Sequence, residues 1–445
     1  MALTITPQIV NMTVQVTSAP TPSSLQQSGA IISVGGTTLA TGSYQFIGSV
    51  AALDLILSTA GNYAELTNMA TTFFAQGSAV GIYVLELGVN TNVVDQVNAL
   101  NAWITDNPGV FYSYLNPADW DTLPIEVGSV IITNGGSGYT TAPTVTFSAA
   151  SGGGVTATGT ATINGSGVVT AVTITNPGYY PNQTAPTVTF SAPTSGTTAT
   201  GTVNVVNDLI VMGGNLSSPS AKTYFFQMTT PANASNYNSN KAFYVKAPAP
   251  TAPSTEFTVA ADFYDWLVNN PSQETPLAPM SFRFQYGVTP WVQYNNSAAI
   301  NQTLTAYGNL VITGSEGGIT ENINEYGTTS DGSQSSWWYG IDWLNIQIHQ
   351  AMVAAIINGS NSIPSLNYDQ AGINTLQGVG QKVANAGLSF GCALSATVIA
   401  TPFYDYTKAN PDNYKAGLYQ GFLLDVVGIN GFLHVTFAID AIQFA

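Results

Sequence analysis

The amino-acid sequence predicts an α/β (α+β) protein, with a core of helices packed on mixed sheets that is interrupted by an inserted all-β repeat domain. Strand-like and helix-like patterns alternate along residues 29–126 and resume along residues 208–431, which predicts two parts of one core. Residues 127–207 between them contain one β-type sequence twice, which predicts the insert. Isolated strand patterns also stand near the two ends of the chain, in an N-terminal arm of residues 1–28 and a C-terminal arm of residues 432–445.

The composition is that of a chain with very few charged residues. Of its 445 residues, 45% are hydrophobic and only 7% are Asp, Glu, Lys or Arg, against about 25% in ordinary soluble proteins. A surface made mainly of neutral polar residues does little to keep molecules apart, so the composition favours permanent assembly. With seven basic residues and a net charge of −16 the chain cannot neutralise many phosphates, and we expect no nucleic-acid partner.

Cysteine usage and hydropathy exclude further classes. The single cysteine, Cys392, lies in an apolar run and is predicted to be a small buried hydrophobe without a disulfide partner in its own chain. The N-terminus has neither the basic region nor the apolar core of a signal peptide. No window reaches the about 18 apolar residues of a membrane span, so we expect no direct membrane insertion.

The N-terminal arm contains a strand pattern that has no neighbour in sequence to pair with. Four apolar residues alternate with polar ones and share one face of this strand: Val10, Met12, Val14 and Val16. The Pro- and Ser-rich linker SAPTPSSLQQSG then separates it from the first folded part. A single strand on a flexible linker has to pair with a sheet edge elsewhere, in its own chain or in another.

The core before the insert alternates short apolar runs with stretches of helical spacing. Strands are predicted in AIISVGG, YQFIGS, VGIYVLELG and VFYSYLN. Helices are predicted over Ser49–Leu57, Tyr63–Gln76 and Val93–Asp106. This order of elements indicates a sheet that is covered by helices.

The insert repeats itself with an offset of 42 to 43 residues. VIITNGGSGYTTAPTVTFSA followed by TATGTATI matches VTITNPGYYPNQTAPTVTFSA followed by TATGTVNV, so that Thr133 aligns with Thr175 and Ala142 with Ala185. Gly, Pro and Asn turns flank each apolar run, and no helical spacing occurs. Two copies of one β-unit are predicted, on the exposed side of the host domain.

The core after the insert shows the same alternation of strands and helices. Strands are predicted in NDLIVMGG, KTYFFQMTT, SFRFQYGV, NLVITG and ALSATVIAT. Helices are predicted over Thr258–Asn269, Ala298–Tyr307 and Gly372–Ala386.

The clearest helix pattern lies within Trp337–Asn358. Its apolar face has the three- and four-residue spacing of a helix that packs on a core, and includes Trp343, Leu344, Ile348, Met352 and Ile356. Asp342 is predicted to cap the N-terminus of this helix, and Gly359 to end it in the left-handed conformation. We expect this helix to be a scaffold that backs a sheet.

The C-terminal arm also has a strand pattern, in GFLHVTFAIDAIQFA. Val435, Phe437 and Ile439 share one face, and the alternation shifts at Asp440, so that Ile442 and Phe444 follow a predicted bulge. The chain is therefore predicted to begin and end in strands.

Three residues could take part in catalysis, and each has a simpler explanation. Residues 387–391, GLSFG, match the G-x-S-x-G pattern of a hydrolase nucleophile, which requires a strand before the serine and a helix after it. Here a helix precedes Ser389 and a β-prone run follows, so Gly387 is predicted to end the helix instead. The histidines, His349 and His434, lack ligand-type spacing with Cys, Asp or Glu, which favours structural roles over a metal site or a general base.

Other polar groups are open to a binding role. Four acidic residues crowd one loop and could hold Ca²⁺, but their order is not that of an EF-hand and a solvated loop is favoured: Glu316, Glu321, Glu325 and Asp331. Three tyrosines of the repeats could stack on sugars, but packing between strands is favoured: Tyr139, Tyr179 and Tyr180. We predict no catalytic residue, no cofactor and no metal site.

Five motifs, taken in their order along the chain, carry a resemblance to a known family. They are STEFTVAADFYDWLVNNP, GVTP at 287–290, GSEGGITENINEYG, WWYGIDWLNIQIHQA and YDQAGINTLQ at 368–377. In this order they resemble the tail sheath proteins of contractile-tailed bacteriophages. The resemblance covers most of the chain outside residues 127–207, and the insert departs from the minimal pattern of that family.

The resemblance implies a sheath core whose subunits form stacked rings, usually six-fold, around a tail tube. It implies that the strands Val10–Val16 and Val435–Phe444 are donated to neighbouring subunits, and that no residue is catalytic. The implied partners are other copies of the chain, the tail tube protein, and the baseplate and tail terminator proteins, in a virion made in the host bacterial cytoplasm. The alternative that stays open is a receptor- or glycan-binding virion protein that uses the insert as its binding module.

Overall fold

The computed structural model describes residues 25–90, 92–270, 277–292, 297–314, 318 and 320–433. The predicted strands of both arms, as well as His434 and Glu316, therefore lie outside the described residues.

The strands follow one another along the described chain as β1 (Gly29–Ser33), β2 (Tyr44–Ile47), β3 (Ile82–Glu86), β4 (Ser113–Leu115), β5 (Glu126–Asn134), β6 (Val145–Phe147), β7 (Thr158–Ile163), β8 (Val169–Asn176), β9 (Val188–Phe190), β10 (Thr200–Val206), β11 (Tyr224–Met228), β12 (Phe243–Lys246), β13 (Leu310–Thr313), β14 (Asn322–Glu325), β15 (Ala393–Ala400) and β16 (Phe422–Gly428). The helices are α1 (Val50–Asp54), α2 (Tyr63–Ala75), α3 (Val93–Asp106), α4 (Asp208–Asn215), α5 (Val259–Val268), α6 (Ser297–Thr305), α7 (Ser335–Ser360), α8 (Gln370–Ser389), α9 (Phe403–Ala409) and α10 (Pro411–Lys415).

A six-stranded mixed sheet, in the order β12-β11-β4-β1-β3-β2, forms the centre of the core. All neighbouring strands are parallel except β2, which pairs antiparallel with β3. Helices cover both faces, with α2, α5 and α7 on one side and α3 and α4 on the other. Neighbouring residues Ile31 and Ile32 are fully buried in opposite layers, so the strand sequences are continuous apolar runs. The predicted α/β core of helices on a mixed sheet is confirmed.

The residues of the predicted insert form strands β5–β10, which pair across the two sequence repeats. β5 pairs with β10, β6 with β9 and β7 with β8, all antiparallel, so each pair takes one strand from each repeat. The hydroxyls of Thr133 and Thr200 lie 2.8 Å apart, and so do those of their counterparts Thr158 and Thr175. The repeats are therefore intertwined about a local two-fold axis, and neither finds its strand partners within itself.

Helix α7 is longer than its apolar pattern indicates, and both predicted ends are wrong. It begins at Ser335, so Asp342 lies two turns inside the helix and is buried rather than capping it. Aromatic residues of the first turns, such as Trp338 and Tyr339, pack on the core of the six-stranded sheet, which extends the helix towards its N-terminus. Gly359 is still helical, and a side chain there would collide with Leu366 because the following segment folds back at that point.

Two predicted strands are also wrong. NDLIVMGG forms helix α4, because the side chain of Asn207 accepts a hydrogen bond from the Ile210 N–H and caps its N-terminus, while Leu209 and Met212 are buried three residues apart. SFRFQYGV is linked to β14 only by separate hydrogen bonds and one bridge, because Phe282 has a φ of 59° that interrupts the strand. Strands β12, β14 and β16 and helices α9 and α10 were not predicted.

The described helices include none that is both long and apolar enough to cross a bilayer.

Candidate assembly surface

The antiparallel pair β15–β16 forms a separate two-stranded sheet over helices α7 and α8. Alternating residues of both strands point inward and pack on the helices, among them Ala396, Val398, Leu424 and Val426. The apolar residues between them stay exposed on the outer face, with 66% of Leu394, 44% of Ile399, 61% of Leu423 and 52% of Val427 accessible. Exposed Leu, Ile and Val side chains clustered on one sheet face are typical of a surface that another protein covers.

The residues predicted for the core helix lie beneath this sheet. Trp343, Leu344, Ile348 and Met352 are buried in its cluster together with Cys392. Ile356 is half-buried and lines a cavity of about 300 Å³ between the end of α7, α8 and the start of β16. The described lining residues of this cavity are uncharged.

Glycines bring the two helices and β15 close together. A Cβ atom at Gly387 would overlap Leu344 on α7, so Gly387 lies inside α8 at its contact with α7 and does not end the helix as predicted. Gly340 of α7 likewise lies against the backbone of Cys392 at the start of β15. This close packing gives the β15–β16 sheet a rigid support.

A buried polar cluster anchors α7 to the six-stranded sheet. Asp342 accepts hydrogen bonds from the hydroxyls of Tyr112 (2.9 Å) and Tyr224 (2.8 Å). Burial raises the pKa of Asp342, and the nearby ammonium groups of Lys241 and Lys222 act in the opposite direction. Residues of α7 belong both to the core on the six-stranded sheet and to the core beneath the β15–β16 sheet, so this helix links the two cores.

The basic residues, all of which are described, divide into two groups. Four are held by internal partners or by burial: Lys222, Lys241, Lys246 and Arg283. The other three are exposed: Lys382, Lys408 and Lys415. All three belong to the segment that builds α8, α9 and α10, so the exposed cations are concentrated in the part of the chain that carries β15 and β16.

Most of the described residues that could take part in catalysis or metal binding are held by internal hydrogen bonds or are at least half-buried. The Ser389 hydroxyl donates to the Asn385 carbonyl at 3.2 Å, and His349 is half-buried, with a pKa lowered by burial and by the charge of Lys222. Burial raises the pKa of the Cys392 thiol to about 12. Among the described residues no group of three or more His, Cys, Asp or Glu side chains is placed to hold a metal ion. Asp331 accepts hydrogen bonds from Thr329, Ser333 and Trp338 and so belongs to the start of α7.

Two tyrosines of the repeats pack between strands. The backbone N–H of Ala199 donates to the Tyr139 hydroxyl, and that of Ala157 donates to the Tyr180 hydroxyl, both at 2.9 Å. Both rings are buried, whereas Tyr179 is half-buried.

Strand β16 was missed because FLLDVVG is apolar on both faces, so its alternation is weak. The signal in the sequence is the pair of glycines before this run, Gly417 and Gly421, since glycines often bound a strand.

No family model matches the sequence, and no curated protein matches it. Solved structures with a similar fold include a chain of the anti-feeding prophage baseplate, 6-fold symmetrised, with a TM-score of 0.56, 9% identity, and 99% of this chain and 100% of that chain covered. A chain of the anti-feeding prophage helical sheath in its contracted state has a TM-score of 0.51 and 10% identity, with 98% and 100% covered. A sheath tail protein from Listeria innocua also matches, at a TM-score of 0.39 and 9% identity over 91% and 97% of the two chains. The first two likenesses confirm at the level of the fold the resemblance seen in the sequence.

Proposed function

We propose that this chain is the structural subunit of a contractile tail sheath. The observation that carries the proposal is the fold shared over 98% of this chain and 100% of a chain from a contracted helical sheath. The open outer face of the β15–β16 sheet supports it, because a subunit that works only in an assembly needs an apolar surface for its neighbours.

In the proposed assembly, the arms of neighbouring copies add strands to the β15–β16 sheet. Within the described residues β15 and β16 pair only with each other, so each has an edge that is not paired to a further strand. At eight and seven residues they can pair along the whole of the seven-residue arm strand predicted at Val10–Val16, and along most of the ten residues predicted at Val435–Phe444. The edge strand β2 of the six-stranded sheet has four residues and offers a shorter template.

The energies are of the size that an assembly needs. A donated strand makes about five main-chain hydrogen bonds, each worth about 0.5–1.5 kcal/mol net. It also buries two to four apolar side chains at about 1.5–3 kcal/mol each. Ordering of the linker and arm offsets much of this sum. The remainder, repeated over two arms and many subunits, holds a tube together.

The linker SAPTPSSLQQSG lets the folded parts shift while the strands stay paired. In this proposal the extended sheath is metastable, and contraction increases the contact between subunits without ATP. A requirement of purified sheath for nucleotide would contradict this part of the proposal.

The proposed partners are further copies of the chain in stacked six-fold rings, the tail tube protein, and the baseplate and tail terminator proteins. The proposed place of action is a phage-type tail that is made in the cytoplasm of a bacterial host and drives its tube through a cell envelope.

Electron microscopy of the negatively stained, purified full-length protein tests the proposal. We expect tubes or stacked rings from the full chain, and folded monomers after removal of residues 1–20 or 432–445. Circular dichroism of the truncated chains checks that they are folded. Full-length protein that stays monomeric under all assembly conditions, or truncated protein that still forms tubes, would contradict the proposal.

Deletion of the insert separates the proposal from a receptor- or glycan-binding role. Glu126 pairs with Val206, so the insert leaves and re-enters the core at adjacent positions, which a short Gly-Ser linker can join. We expect tubes to form without residues 127–207. The burial of Tyr139 and Tyr180 removes two of the three rings that a sugar would stack on, so the structure gives no specific support to the binding role.

A further inference from the structure

We infer that Gln377 and Gln381 close the outer edge of β15, so that a strand arriving from another copy of this chain adds to β16. The inference rests on the proposed function and specifies which of the two sheet edges the arm uses.

Two glutamine side chains of α8 take the place of a neighbouring strand along β15. The Val398 N–H donates to Gln381 Oε1 at 2.9 Å, and Gln377 Nε2 donates to the Val398 carbonyl at 2.9 Å. Gln381 Nε2 also donates to the Ala396 carbonyl at 3.1 Å. Three consecutive outward-facing backbone groups in the middle of β15 are therefore already paired, and an incoming strand would have to break these bonds.

The orientation of the Gln381 amide follows from its partners. Its oxygen faces a backbone N–H, and its nitrogen faces the carbonyls of Ala396 and the Asn385 side chain, so a rotated amide would place like groups against each other. Both amides reach the strand because α8 lies close to it at Gly380, where a Cβ atom would come within 3.3 Å of the Val398 side chain. Of the two glycines in the QGVGQ sequence, Gly380 therefore serves the close approach between helix and strand, whereas Gly378 has open space around it.

Within the described part of the chain, the opposite edge of the sheet has no such closure. Val398 is paired in register with Leu424, and Ala396 with Val426. Since the backbone groups of Val398 point away from β16, this is a non-hydrogen-bonded pair of the antiparallel ladder, and those of Leu424 also point outward. No described residue forms a hydrogen bond with the outward-facing backbone groups of Leu424 or Val426.

Disulfide trapping in assembled tubes tests the choice of edge. In a Cys392→Ala background, a cysteine replaces either Asp425 on β16 or Thr397 on β15, which are exposed and directly opposite each other. A second cysteine is moved along the arm through positions 11, 13 and 15, or through 436 and 438, to find the register. A strand added to β16 lies about 4.8 Å from it and about twice that from β15. Since a disulfide requires Cβ atoms about 3.5–4.5 Å apart, only the adjacent strand can be trapped.

We expect cross-linked multimers from Asp425→Cys at a yield at least about tenfold above that from Thr397→Cys. In the double variant Gln377→Leu/Gln381→Leu the Thr397→Cys yield should rise, while Asn374→Leu, an exposed position one turn earlier on α8, should leave it unchanged. Equal trapping at both positions with the glutamines intact would overturn the choice of edge alone. Tubes without trapping at either position would overturn strand donation, and the choice of edge with it.

Hydrogen exchange gives a second test that needs no amino-acid substitution, because it compares the truncated monomer with the assembled full-length protein. In truncated monomers the Val398 amide should already be protected and the Leu424 amide exposed. Assembly should slow exchange at Leu424 by at least about tenfold and change Val398 little. A gain of protection at Val398 with none at Leu424 would overturn the inference.

Discussion

The two sheets of the core differ in how completely this chain covers them. Strands β1, β4, β11 and β12 are buried at every residue, because helices cover both faces of the six-stranded sheet. Strands β15 and β16 instead alternate between covered and exposed residues, with helices on one side only. Within the described residues these buried strands of the first sheet are covered on both faces, whereas the second sheet keeps an exposed apolar face and an edge along β16 without a further strand. Mutations in the first should therefore act on folding, and mutations on the face of the second should act on assembly.

The largest loss of subunit stability is expected where a buried charge loses its partner. Lys246 forms an ion pair with Asp262, both fully buried, and also donates to Gln285 at 2.5 Å. Lys246→Met leaves the Asp262 carboxylate in the core, which should lower the free energy of unfolding by about 3–5 kcal/mol. Urea unfolding of the purified chain measures this change.

The control for this prediction is Lys415→Met. Lys415 is exposed and lies 3.5 Å from Asp412, so its loss should change stability by less than about 1 kcal/mol. A similar loss of stability from both variants would contradict the burial of the Lys246–Asp262 ion pair in the core of the six-stranded sheet.

The packing of helices α7 and α8 beneath the β15–β16 sheet should be sensitive to a single added methyl group. Gly387→Ala places a Cβ atom into the contact of α8 with Leu344 and should cost about 2 kcal/mol, while the six-stranded sheet keeps its stability. Gly378→Ala, on the same helix with open space around it, is the matched control and should be neutral or stabilising by up to about 1 kcal/mol. Urea unfolding of both variants decides the matter, and equal effects would contradict the close packing of α7 and α8.

The free energy of unfolding is expected to depend on pH through Glu65, in the core around the six-stranded sheet. Burial raises the pKa of Glu65 to about 7, with a smaller contribution from the charge of Asp119, while the Ala118 N–H donates to its carboxylate at 2.7 Å. The folded chain therefore binds the proton of the Glu65 carboxyl more tightly than the unfolded chain does. The stability that this protonated carboxyl contributes is complete below about pH 4.5 and is lost as the pH rises through about 7.

Glu65→Gln removes this dependence. We expect the variant to be more stable than the unaltered chain by about 1–2 kcal/mol at pH 8, and the gain to vanish near pH 4. Thermal unfolding at both pH values measures it, with Glu321→Gln, at an exposed position, as the control. A gain that does not vary with pH would exclude the titration of Glu65 as its cause.

The smallest effect on the subunit itself is expected on the outer face of the β15–β16 sheet. Leu423→Lys with Val427→Lys replaces exposed side chains, so the stability of the subunit should change by less than about 0.5 kcal/mol. Assembly should fall at least about tenfold, because each lost apolar contact is worth about 1.5–3 kcal/mol when covered. Sedimentation of tubes measures this loss.

Val89→Lys is the matched control. Val89 is 81% exposed but lies beside the six-stranded sheet, where no donated strand is proposed. Equal assembly defects from both substitutions would remove the distinction between the two sheets.

The sequence by itself predicts the elements whose pattern is local. Helix α3 has the predicted bounds, α5 and α8 lie within a few residues of theirs, and β3 and β11 fall inside the predicted runs. The doubled β-type sequence likewise follows from the order of residues alone. The helices and strands depend on spacing within about 20 residues, which hydrophobic periodicity records directly.

Tertiary structure decides what each polar residue and glycine at these elements does. Asp342 looks like a cap because it precedes an apolar run, but Tyr112 and Tyr224, more than 100 residues away, make it a buried anchor. Gly387 looks like a helix end, but it is a glycine because α7 approaches α8 closely at that point. Gln377 and Gln381 bind the edge of β15, and no local pattern in the sequence indicates this contact. Periodicity identifies the face of an element that is buried, whereas the partner on that face comes from a distant part of the chain, and only the folded arrangement brings the two together.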